Sequence, residues 1–165
     1  MRFLLILLPV QIFGIVLMFP SVDIENPPIA VFEDFDGEST EVTVVFSDED
    51  HPNPLIDIVY DIYRLFRYGR VVDIETFVIK KDTVLFPDDF ASVSSFHQTE
   101  NLHTRAEIPI DEFELFDGEL VVYVNTWNHM FSNKPLRGLT YIPVILKPER
   151  GGREDAERIY SLFKK

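Results

Sequence analysis

The chain opens on a run without an ionisable side chain, from Phe3 to Phe19, preceded by the single cation of Arg2. Drawn as a helix, such a run would rise roughly 26 Å, close to the lower limit for crossing a bilayer. Pro9, Gln11 and Gly14 interrupt it, which lipid-spanning helices tolerate, and Asp23 and Glu25 follow. A cation before and carboxylates after predict an N-terminus inside and the remainder outside. Residues 1–22 therefore read as an N-terminal hydrophobic helix acting as a signal anchor. A cleaved signal peptide is the second reading, although Phe19, Pro20, Ser21 and Val22 match the small-residue cleavage rule poorly. A buried element of the fold itself is the third.

Beyond this run, residues 23–28 predict a short proline-containing spacer and 29–165 a globular domain. Segments 29–35 and 41–47 carry the β-branched and aromatic residues of strands, with Asp36-Gly37 between them as a turn pair. Residues 48–54 (DEDHPNP) are a loop. A helix is expected over 54–68, with Asn53 as N-cap, Pro54 at the first position and Gly69 just past the end. Asp57, Asp61, Arg64 and Arg67 form its polar stripe. Leu55, Ile58, Val59, Ile62, Leu65 and Phe66 form an apolar face expected to press onto a sheet. Strand character returns at 71–79, 83–86, 103–110, 119–126 and 139–146, and a second helix is expected over 153–163 after Gly151-Gly152. Helices and strands that do not alternate regularly predict an α+β domain with a mainly antiparallel sheet and one or two packed helices; a β-sandwich with added helices is the alternative. The tetrapeptide Phe-Asp-Gly-Glu occurs at 35–38 and at 116–119. Either a duplicated hairpin or shared turn chemistry explains it.

Composition narrows the function classes. A net charge of −13 excludes a general nucleic-acid role, because phosphate binding rests on clustered Lys and Arg. The 15 Phe and 6 Tyr supply a core large enough to fold one domain. Cysteine is absent, which removes disulfides and Cys-ligated zinc and favours a prokaryotic source.

Two groups of residues carry candidate chemistry. Asn125, Trp127, Asn128 and His129 mix an aromatic face with amide and imidazole groups, a combination suited to a polar ligand. The competing reading has Trp127 plugging the end of the core while its neighbours close a turn. His97, Glu100 and His103 could supply ligands to a divalent metal, though their spacing matches neither a helical nor a same-face strand pair. No nucleophile elbow, phosphate loop or dinucleotide fingerprint occurs. The expectation is a membrane-tethered extracytoplasmic binding domain without a cofactor, held to the membrane by its N-terminal helix and meeting a protein partner or polar ligand. A secreted form, a metal-dependent extracytoplasmic hydrolase and an accessory subunit of a membrane complex are the alternatives.

Overall fold

In the computed structural model, which describes residues 14–98 and 103–162, the hydrophobic start of the chain is sheet. Strand β1 (Ile15–Pro20) lies between two others. It runs parallel to β8 (Glu119–Val124) and antiparallel to β10 (Tyr141–Val144). The far edge of β8 carries two short strands, β7 (Leu115–Phe116) and β9 (Phe131–Ser132). Ile15, Leu17 and Phe19 point into the main core, as the period-two alternation of a strand requires, and Val16 is buried on the opposite face.

The second sheet runs in the order β11 (Glu149–Arg150), β2 (Pro28–Phe35), β3 (Thr40–Phe46), β4 (Asp73–Ile79), β5 (Thr83–Phe86), β6 (Ala106–Pro109). Its pairings are antiparallel except β11 with β2. The inner faces of the two sheets share one core, in which Leu17, Phe19, Leu120, Val122 and Val124 meet Val42, Val44, Phe46, Phe77 and Val84. Helix α2 (Arg153–Tyr160) covers the outer face of the second sheet, with Ala156 against Ala30, Phe32, Val45 and Ile74. The architecture is thus α+β to mostly β, two mixed sheets with two helices among the described residues.

Local signals place most elements well. Helix α1 (Pro54–Tyr68) starts where Asn53 Oδ1 accepts the Leu55 N–H at 3.1 Å. It ends where Gly69, at φ 72°, donates to the Leu65 carbonyl. The repeated tetrapeptide makes two different turns. Asp117 and Gly118 both take positive φ in a tight two-residue hairpin. Asp36 instead accepts the N–H groups of Glu38 and Ser39 in a longer loop. Turn chemistry accounts for the repeat without a duplication.

Three expectations need correction. A transmembrane helix or signal anchor over Phe3–Phe19 fails, because Ile15–Pro20 is an extended strand hydrogen-bonded on both sides inside the protein. No helix among the described residues is long and apolar enough to cross a membrane, so a single-pass membrane location loses its support. Residues 1–13, the rest of the predicted segment, lie outside the described residues. Next, the predicted spacer belongs to the fold, since Asp23 and Asn26 are buried. Finally, α1 does not press its apolar face onto a sheet. That face points outward, as described below.

Removing the Phe19 ring, which stacks on Phe46 with centroids 6.1 Å apart, is expected to lower stability by about 3–5 kcal/mol. Urea unfolding of Phe19→Ala measures this. A loss below about 1 kcal/mol would contradict a core position for β1.

Candidate functional site

The distinctive segment Asn125–His129 forms the connection between β8 and β9, and its closing residue is the centre of a buried charge cluster. His129 donates its N–H to the Thr126 carbonyl, and the Thr126 hydroxyl accepts from the Met130 N–H. These bonds hold His129 at φ 53°, a left-handed conformation that non-glycine residues adopt only under constraint. The imidazole is fully buried and lies flat on Phe46, with centroids 3.9 Å apart and planes within 5°.

A carboxylate meets each ring nitrogen. Nδ1 lies 2.9 Å from Asp73 Oδ2 in a hydrogen bond, and Nε2 lies 3.2 Å from Asp23 Oδ2 without the alignment of one. Burial alone would drive the proton off His129, but the two carboxylates outweigh it and raise its pKa to about 9. The ring is therefore an imidazolium at neutral pH. For Asp73, burial pushes the pKa up, yet the bond to His129 wins and holds it below the usual range. An imidazolium with both nitrogens facing carboxylates has no free lone pair, so His129 cannot serve as a general base in this arrangement.

The cluster extends to the foot of α1. Asn26 donates to Asp23 and to Asp50, linking β1's end to the loop before the helix. In that loop Glu49 is buried, and desolvation together with Asp73 pushes its pKa up to about 8. Arg64, 2% exposed, reaches down from α1 to meet it. Its Nη2 lies 2.6 Å from both Asp48 and Asp61 and donates to the Glu49 carbonyl at 3.1 Å, while Nη1 lies 3.4 Å from the Glu49 carboxyl. On β4, Glu75 faces Asp89, and burial raises both. Their shared hydrogen bond requires a proton on one of them.

The other predicted residues have separate placements. Asn125 donates to the Lys134 carbonyl and accepts from the Tyr141 hydroxyl, so it braces the turn. Trp127 donates its indole N–H to the Gln98 carbonyl and meets His51 edge-on at 4.8 Å. Asn128 is buried with its Oδ1 unpartnered. His97 is exposed beside Phe96, and His103 sits against the Asp88 carbonyl at 3.0 Å. Glu100 lies outside the described residues. Among the described residues no group of three or more His, Asp or Glu side chains is arranged to hold a metal ion. A cleft of about 800 Å³ borders this end of the protein, with Asn125, Ser92, Asn133, Lys134 and Arg137 in its wall.

Sequence reasoning missed Asp23, Asp73, Glu49 and Arg64 as one group. With His129 they stand at positions 23, 49, 64, 73 and 129, and no spacing rule joins them. One signal was available. Asp73 and Glu75 stand on the inward side of a strand otherwise filled by Phe77, and a carboxylate there demands a partner.

The linkage has a definite sign. His129 titrates near 6.5 when unfolded and near 9 when folded, so its stabilisation is complete below about pH 6.5 and is lost as pH rises through 9. Glu49, raised from 4.5 to about 8, acts in the same direction between those values. Urea midpoints are expected to fall steadily from pH 5 to pH 9, with Glu49→Gln flattening the lower part of that slope. A midpoint that rises over this window would exclude the protonated clamp. Asp73→Asn is expected to cost about 3–5 kcal/mol at pH 6, as for any broken buried pair, and unfolding by urea reads it directly.

No protein family, curated protein or solved structure matches this chain, so its function has to be argued from the geometry of its own residues.

Proposed function

We propose that this chain is a binding domain that docks a partner through the outward apolar face of α1. The supporting observation is the inverted seating of that helix. Its polar side turns inward, where Arg64 meets Asp48, Glu49 and Asp61, and where Asp57 accepts the His51 N–H at 2.7 Å. Its apolar side turns out, with Phe66 81% exposed, Leu55 76% and Val59 66%. Ile58 and Ile62 lie between them, also more than half exposed.

A hydrophobic helix face normally supplies the energy that holds a helix to its domain. Here an ion-pair network holds it instead. The five side chains expose roughly 600 Å² of apolar surface, the upper end of the largest patch on a typical monomer, which is often functional. Val22 and Ile24 stand exposed in the segment that Asn26 ties to the helix loop, and Leu162 donates its N–H to the Gly69 carbonyl at the other end. Apolar groups therefore flank α1 at both ends.

Phe66→Ser distinguishes a docking surface from a core position. Its urea stability is expected to stay within about 0.5 kcal/mol of the parent, the range of an ordinary surface substitution. A loss above about 2 kcal/mol would mean that the chain itself covers the face, and would overturn this reading.

A further inference from the structure

Resting on the docking face just described, we propose that its occupant is an amphipathic helix of another protein whose apolar stripe is bordered by Lys and Arg. Two observations select it. The first is the spacing of the exposed face. Leu55, Val59, Ile62 and Phe66 recur at intervals of four, three and four, with Ile58 beside them. A 3–4 ladder of this kind is the seam that one helix presents to another, with each side chain entering a hole between four residues of the partner. Three turns of α1 offer it over roughly 16 Å.

The second is charge. Residues 48–67 hold the acidic side chains Asp48, Asp50, Asp57 and Asp61 against the guanidinium groups of Arg64 and Arg67. Glu49, held protonated at neutral pH, adds no charge. Arg64 pairs with Asp48 and Asp61 beneath the helix, and Asp50 and Asp57 outnumber the remaining cation, Arg67 over the Tyr68 ring, so this stretch keeps an acidic surplus. The seam itself is uncharged, so the acidic surplus behind it and the chain's net charge of −13 set the sign of the field a partner meets. A second copy of this chain would set one acidic surface against another, and anionic headgroups would be repelled. A basic rim gains on both counts, by steering the encounter and by register.

The test uses the full chain with two designed peptides of equal length and identical leucine positions in a 3–4 pattern, one with lysine and one with glutamate elsewhere. Calorimetry is expected to show the leucine–lysine peptide binding at least about tenfold more tightly than the leucine–glutamate one. The double variant Ile62→Ser/Phe66→Ser keeps every charge and is expected to lose at least about tenfold in that affinity. Equal affinity for the two peptides, no binding of either, or lysine-peptide binding that the variant retains would overturn the proposal. Sedimentation and flotation with phosphatidylcholine vesicles complete the set. A dimer or a vesicle complex that the variant abolishes, without peptide selectivity, would overturn the helical partner yet leave α1 as a docking face. A variant without effect on any of the three readouts would bring down the docking face as well.

Discussion

The buried imidazolium of His129 between Asp23 and Asp73 is the interaction on which the arrangement of the two sheets depends. Asp23 follows the end of β1, Asp73 opens β4 in the opposite sheet, and His129 closes the turn between β8 and β9. One charged ring thus joins three segments far apart in the chain, at the end of a core that elsewhere is held by aromatic and branched aliphatic packing. A charge removed from water is tolerated only where its partners meet it fully, and here burial and pairing oppose each other with pairing ahead. The left-handed backbone at His129 goes with this placement, in which the ring lies between the carboxylates and flat on Phe46.

From this clamp the charge passes outward through neighbours. Burial and the neighbouring Asp73 outweigh Arg64 at Glu49, and the consequence is a protonated carboxyl at the foot of α1. Arg64 then has its closest carboxyl partners in Asp48 and Asp61, both at the margin of the fold. The helix is therefore seated by a guanidinium whose hydrogen-bond geometry is directional, and its apolar residues face away from the described part of the fold. Polar groups have taken the inner position because the sheet end beneath α1 is itself polar. An apolar face pressed there would have stranded Glu49 and Asp48 without a cation.

The consequence for function follows from this division of labour. The aromatic core between the sheets supplies stability, the carboxylate cluster orients α1, and α1 presents a helical seam to the outside. Histidine, the residue type with the most catalytic promise in the sequence, is distributed among structural tasks. His129 is a charged strut, and His51 Nδ1 accepts the Asn53 N–H and braces Trp127. His103 is set against a backbone carbonyl.

Local chemistry alone specifies the elements. Asn53, Pro54 and Gly69 bound α1 because capping and left-handed φ are properties of single residues, and alternating branched side chains mark β2 to β5 for the same reason. The same alternation could not reveal β1. Its continuous apolar run suits lipid or a central strand equally, and only pairing with β8 and β10 decides between them. Strands of two residues, such as β7, β9 and β11, exist solely through their neighbours. Amphipathicity announced that α1 has two faces, but which one meets the domain depends on what lies beneath. Asp48, Glu49 and Asp73 come to that place only when the sheets assemble. Charge pairing acts through space over a few ångströms, and the chain order of positions 23, 49, 64, 73 and 129 carries no record of it.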